Sequence, residues 1–373
     1  MTLPARLIQA VRPQASLGVM ASAAVVAATF AATPFLLPDV ATRLSLDIGR
    51  TGLLSTAQVG SFALASFLAG RLFRPTRRLH YGSLVLIALA TLGSAAASDF
   101  TILLVTRLLT GLGLGALTWI AWSDATRFPR GLGDVAAIAP LTAAIASPGL
   151  GWLIEAGGYP MVFVALAILS LTAIAFPVGF GELPRVGRTV SGSRSNRLLL
   201  MALLILTLGG SSVFIFTGAS GIEIQGLSPT TIAWAFSLNA IAGVVATRRE
   251  PRTGRAGLWL TGTAVSALAI GLVTSGWVFF VAMAIWGYSF WMGVPAVFRL
   301  LVARSLTAAE QVGDAQAAMA VGRVFGPVVG ELALGAGRFT RLSLIGAGIM
   351  ATAALSVLTV ERYRHSAATA WGE

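Results

Sequence analysis

The chain contains no cysteine and no lysine. The first absence rules out disulfides, thiolate metal sites and thiol nucleophiles. The second rules out a glycine-rich phosphate loop ending in lysine, so nothing points to ATP use. Only two histidines occur, His80 and His365, both beside basic turns, where they are expected to face solvent; they offer no zinc-ligand spacing. Charge is scarce too, at 11% of 373 residues against 56% hydrophobic. A soluble chain of this length needs a far more polar surface.

Long apolar runs fill the sequence instead, many near the ~20 residues that cross ~30 Å of hydrocarbon. Outer-membrane barrels are excluded, because their strands alternate apolar and polar residues in short segments. The expected class is an all-α membrane protein. Breaks at charged and Gly/Pro-rich turns give twelve spans, roughly 16–40, 51–70, 80–98, 100–123, 135–155, 160–181, 198–221, 228–247, 256–275, 277–298, 312–335 and 340–360. The first follows Arg6 and Arg12 like a signal peptide, but its apolar run continues through PFLLP, past the length of a signal core.

All 26 basic residues are arginine. Twenty lie in the amino-terminal tail and every second turn after it, among them Arg71, Arg74, Arg77 and Arg78. Four lie in the intervening turns (Arg43, Arg50, Arg338, Arg341), and two, Arg107 and Arg323, fall within spans. This asymmetry follows the positive-inside rule and places both termini on the cytoplasmic side of the cytoplasmic membrane. It also explains the net charge of +12 through anionic headgroups, with no nucleic-acid partner.

SPGLGWLIEAGGYPMVF, from Ser147, and GPVVGELALGAGRFTRL, from Gly326, form an internal repeat. Pro148 and Pro327, Gly151 and Gly330, and Gly158 and Gly337 are each 179 residues apart, half of a twelve-span array. The expected organisation is a six-helix bundle over 1–181, a cytoplasmic linker over 182–197 and a second six-helix bundle over 198–373, related by a pseudo-twofold. Many secondary transporters are built from paired halves.

Over nearly its whole length the sequence resembles the major facilitator superfamily. The fourth span carries that family's arginine and glycine stripe, as Arg107, Gly111, Gly113 and Gly115. The G-x-x-x-G-P-x-x-G-G motif of its antiporters reads AAIASPGLGW in the fifth span, keeping Pro148 and Gly151. The eleventh span keeps Gly322, Gly326, Pro327 and Gly330, followed by Glu331. PFLLPDVA in the first span and GLSPTTIAWAFSLNA before and within the eighth add a leaning towards drug/proton antiporters. The turn after the second span departs from the pattern: GRLFRPTRR keeps Gly70 and Arg78 but places Arg74 where the family has aspartate. That departure bears on the charge relay that latches the cytoplasmic side.

The resemblance implies a central cavity lined by the first, fourth, seventh and tenth spans. Glycines four apart, such as Gly111 and Gly115, let helices approach closely where lipid gives no hydrophobic drive for association. Arg107 either snorkels to the outer headgroups or points into the cavity, which the resemblance favours. Proton coupling needs a carboxylate, since arginine does not titrate. Asp39 and Glu331 are the candidates, and an Asp39–Arg107 pair at which substrate competes with the proton is expected. Arg323 lies deeper and needs a partner from another helix or from substrate. Trp122 and Trp286, with Trp119, Tyr288 and Trp291, either stack on substrate or serve as structural or lipid-facing aromatics.

The expected function is secondary transport by alternating access, first as proton-coupled efflux of a small organic molecule and second as symport or uniport of a metabolite. A membrane-embedded protease would want paired aspartates or a Ser/His pair within spans, and a scaffold would not concentrate polar groups on cavity helices. Neither an enzyme nor a cofactor is expected; a proton gradient is the driving force, and the working unit is a monomer in the lipid bilayer.

Overall fold

A computed structural model describes residues 15–125, 131–179, 194–249, 255–302, 308–335 and 338–370. Among them are thirteen helices and no strand: α1 (Leu17–Arg43), α2 (Ile48–Leu72), α3 (Arg77–Ala95), α4 (Phe100–Ala125), α5 (Gly131–Gly157), α6 (Tyr159–Ala173), α7 (Arg194–Phe214), α8 (Thr217–Glu223), α9 (Pro229–Thr247), α10 (Ala256–Leu272), α11 (Gly276–Val302), α12 (Ala308–Leu334) and α13 (Phe339–Ala370). The helices begin where short polar side chains cap them. Ser16, Asp47, Thr76 and Ser228 each accept a backbone N–H of the first turn.

Each expected span falls on a helix, and three differ in extent: the twelfth runs on to Ala370, and the sixth and seventh depart as follows. The sixth ends at Ala173 rather than near 181, although the sequence stays apolar. Pro177 follows, and a proline's predecessor is pushed out of helical geometry. The seventh is broken: the Phe216 N–H turns back to Val213 O, three residues away, and α8 restarts at Thr217. Of the expected linker, 182–193 lies outside the described residues, and 194–197 form the first turn of α7.

The packing repeats itself. In the first half α1 packs on α5 and α6, α2 on α4, and α3 on α4 and α6. In the second half α7 packs on α12 and α13, α9 on α11, and α10 on α11 and α13. Counting α7 and α8 as one span, an advance of six spans converts the first set into the second. The same advance exchanges the two largest contacts that join the halves, α5 with α9 and α2 with α12. Two six-helix bundles are therefore related by a pseudo-twofold.

Glycine sets the closest approaches. A Cβ on Gly322, Gly326 or Gly330 of α12 would lie 2.4, 2.9 or 2.5 Å from the backbone oxygens of Leu204, Leu208 and Ser212 in α7. In the first half a Cβ on Gly111 or Gly115 of α4 would meet the carbonyl oxygens of Gln58 and Phe62 in α2, at 2.2 and 2.3 Å. Gly113 points the other way, towards Ile87 of α3. These stripes are packing faces, and backbone contact there takes the place of a hydrophobic drive.

Candidate functional site

The ends of the bundles are distinguished by charge. One, at the α2–α3 turn, carries Arg71, Arg74, Arg77 and Arg78; the other, at the α1–α2 turn, is arginine-poor. Arg74 and Arg78 are exposed. The side chain of Arg77 donates to Val178 O at 3.0 Å, so this turn is tied to the end of α6 through a backbone carbonyl.

Contacts joining the halves line the arginine-poor side. Gly218 of α8 sits against the backbone of Pro34 in α1, and Gly52 of α2 against the Phe216 ring. Gly151 of α5 sits against Pro229 and Ala233 of α9. The Glu155 carboxylate accepts the Thr230 N–H, in the first turn of α9, at 2.9 Å. Glu331 lies beside the first turn of α2, its Cγ 3.2 Å from where a Gly49 Cβ would stand. The Glu155 carboxylate thus crosses between halves onto the positive end of α9, and the Glu331 side chain packs beside α2 at the place the pseudo-twofold relates to it.

Two cavities flank this seal. One, of about 430 Å³, lies at the arginine-poor end between the halves; Pro38 and Asp39 of α1, Glu223 of α8 and Ile232 of α9 line it. The other, of about 250 Å³, lies midway along the spans of the second half. Its wall combines Thr207, Ser211 and Phe214 of α7, Asn239 of α9, Trp286, Phe290 and Trp291 of α11, and Arg323 of α12. Aromatic rings stand between the two cavities. Trp286 meets Phe214 at 5.4 Å, Phe214 meets Phe236 of α9 at 5.2 Å, and Phe236 meets Phe35 of α1 at 4.9 Å.

Arg107 is not at either cavity. It is 2% exposed, donates to Ser94 Oγ of α3 at 2.6 Å and to Gln58 Oε1 of α2 at 3.3 Å, and lies 4.3 Å over the Phe163 ring of α6. The expectation that it opens onto the central cavity is corrected, as is snorkelling. The reason is its face: Gly111 and Gly115 hold that side of α4 against α2, and Arg107 follows them into the first bundle.

The expected Asp39–Arg107 pair is corrected too. Asp39 bridges to Arg43 Nε at 3.0 Å and accepts the Tyr159 N–H at 2.6 Å. Gly158, at φ 73°, has no side chain with which to cap α6, and Asp39 supplies the carboxylate from α1. Among the described residues the two expected partners connect through α6, where Tyr159 precedes Phe163 by one turn.

Trp286 and Arg323 line the mid-span cavity as a pair, and Asp39 lines the arginine-poor one. Trp122 is 41% exposed and lines neither of these cavities. Glu331 lies in the seal between the halves rather than in a cavity. Pro148 and Pro327 sit within α5 and α12, the helices that carry the two crossings. His80 is fully buried, with Nε2 3.2 Å from Ser22 Oγ, against the expectation of a solvent-facing ring; His365 lies outside the described side chains. Sequence reasoning passed over Gln58, Ser94, Thr207 and Asn239, ordinary polar residues whose partners are distant in the chain.

A family model described as Major Facilitator Superfamily matches residues 19–330. The purine ribonucleoside efflux pump NepI of Escherichia coli (strain K12) is 26% identical over 357 residues, covering 87% of this chain and 89% of that protein. The multidrug resistance protein B homolog of Mycobacterium tuberculosis (strain CDC 1551 / Oshkosh) is 36% identical over 113 residues, only 27% of this chain and 21% of that protein. The crystal structure of a bacterial homolog to the human lysosomal transporter Spinster, inward-facing and occupied, superposes with a TM-score of 0.75 at 15% identity, covering 93% of this chain and 95% of that one.

Proposed function

The chain belongs to the major facilitator superfamily, and from that premise we propose that it works by alternating access as a proton-coupled exporter of a small organic molecule. It acts as a monomer in the cytoplasmic membrane, with the arginine-rich end and both termini in the cytoplasm. Residues 1–181 and 198–373 are the rocking halves, and 182–197 connects them. The observation that carries this reading is the pair of cavities with a seal between them. A polar, aromatic cavity lies midway along the spans, where transporter sites are built. Its path to the arginine-poor side is closed by rings from both halves. On this reading the closed side is the outer one.

The acidic groups support proton coupling by position. No aspartate or glutamate lines the mid-span cavity, whereas Asp39 and Glu223 line the outer one and Glu155 and Glu331 join the halves. Protonating a carboxylate that sits on a helix N-terminus removes the charge attracted there, so external protons loosen the seal. The efflux function that NepI bears in its name agrees with this direction. The carboxylate-free cavity also supports a second reading, uniport or symport without a proton site at the substrate. Everted vesicles assayed with dyes, drugs, sugars, amino acids and nucleosides, with and without a proton gradient, decide between the two. Uptake that collapses with the gradient supports export, and gradient-independent uptake the alternative. Asp39→Asn is expected to reduce substrate-driven proton movement in proteoliposomes; unchanged movement removes Asp39 from the coupling.

A further inference from the structure

The mid-span cavity holds one cation and no counter-ion. Arg323 lies at the middle of α12, where its exposed side chain lines the cavity. Among the described residues its guanidinium makes no hydrogen bond or ion pair. None of the other lining residues is acidic. The nearest acidic residue towards the carboxyl end of α12 is Glu331, two turns away and committed to the interface with α2. A guanidinium mid-span without compensation is costly even on the mildest scale. Residues of this kind face a ligand path or a partner, and the structure shows the cavity and no partner.

The rest of the wall restricts what arrives. Trp286, Trp291, Phe214 and Phe290 present ring surface and Ser211 a hydroxyl, while the Thr207 and Thr263 hydroxyls donate within their own helices to Leu203 O at 2.9 Å and Leu260 O at 2.7 Å. Asn239 Nδ2 is spent on Met283 O at 2.8 Å, which leaves Oδ1 as its remaining acceptor. At about 250 Å³ the space lies just below the roughly 300–1,000 Å³ typical of organic-ligand pockets, which restricts it to a small ligand. The other arginine of the spans, Arg107, is sealed beneath Phe163 in the first half and adds no second charge.

We propose that this cavity binds a small planar organic monoanion, an aromatic carboxylate, with Arg323 as its counter-ion and the α11 tryptophans against its ring. A guanidinium matches a carboxylate with two parallel hydrogen bonds. A single cation balances one negative charge, which disfavours phosphate esters. A neutral nucleoside would leave the guanidinium uncompensated. This names the substrate class of the transporter reading and rests on it for its meaning, but its test is equilibrium binding and needs no transport.

The test is calorimetric titration of the purified chain in lipid nanodiscs with 2-naphthoate, its neutral amide 2-naphthamide, and inosine. The wild type is expected to bind naphthoate saturably and at least about tenfold more tightly than the amide or inosine. Arg323→Gln is expected to erase the acid-over-amide preference. Arg323→Lys keeps the charge and should retain a reduced preference; it serves as the test if the glutamine variant does not fold. Trp286→Leu should weaken acid and amide alike. Absence of saturable naphthoate binding, equal binding of acid and amide by the wild type, tighter binding of inosine, or a preference unchanged in Arg323→Gln would each overturn the proposal. A chain that binds naphthoate through Arg323 but moves no compound in vesicles would overturn the transporter reading and leave this site standing.

Discussion

Arg107 carries a permanent charge inside the first bundle on two hydrogen bonds and one aromatic face. Bonds to charged groups contribute about 1.5–3 kcal/mol each, so Ser94→Ala is expected to lower stability by about that amount, measured by thermal unfolding in detergent. An unchanged midpoint would show that the guanidinium is satisfied without Ser94. Asp39 and Arg107 share no partner, so Asp39→Asn and Arg107→Gln should add to within about 0.5 kcal/mol. A coupling well above that would restore the direct pair. At this scale the sequence was only half legible. A charge in an apolar run is plain to see, but the direction in which it points depends on which neighbour its helix face meets. Nothing local to Gln58 or Ser94, 49 and 13 residues away, marks them as its partners. Arg323 was more readable, because its own helix offers no nearby carboxylate in either direction.

Helices are held to one another here by backbone approach and by carboxylates on helix N-termini. Asp39 caps α6, Glu155 meets α9, Glu331 lies beside α2, and at the arginine-rich end buried Glu361 accepts the Ala256 N–H of α10 at 2.8 Å. The approaches make a sharp prediction. Gly326→Ala drives a methyl towards Leu208 O, and overpacking of that kind costs about 1–3 kcal/mol. Gly82→Ala in α3 meets nothing within 4 Å and should be neutral or gain up to about 1 kcal/mol from helix propensity. Equal effects on unfolding in detergent would contradict the packing described. The helices themselves were legible, since hydropathy reports the bilayer directly. Their ends were less so: the residues after Ala173 stay apolar while Pro177 ends the helix, and the break at Phe216 carries no proline to announce it.

The whole molecule is two bundles joined on one side. The pseudo-twofold was legible from residues 179 apart, because the same Pro and Gly positions serve α5 and α12. The seal was not, since it is made by pairs such as Gly218 with Pro34 and Phe35 with Phe236, joined only by folding. If Glu155 and Glu331 hold it, the double variant Glu155→Gln/Glu331→Gln should populate an outward-open state at the expense of this one. The chain has no native cysteine to interfere with labelling. Spin labels at Ser98 and Ser275, exposed in the α3–α4 and α10–α11 turns of the arginine-poor end, report the separation of the halves there. A second pair at Arg74 and Arg248 reports the opposite end. Pulsed dipolar distances between these pairs, in nanodiscs, test alternating access most directly. The account predicts two populations whose weights move in opposite senses at the two ends, with the outward-open one raised in the double glutamine variant. A single distance at each end, the same in wild type and variant, would contradict it.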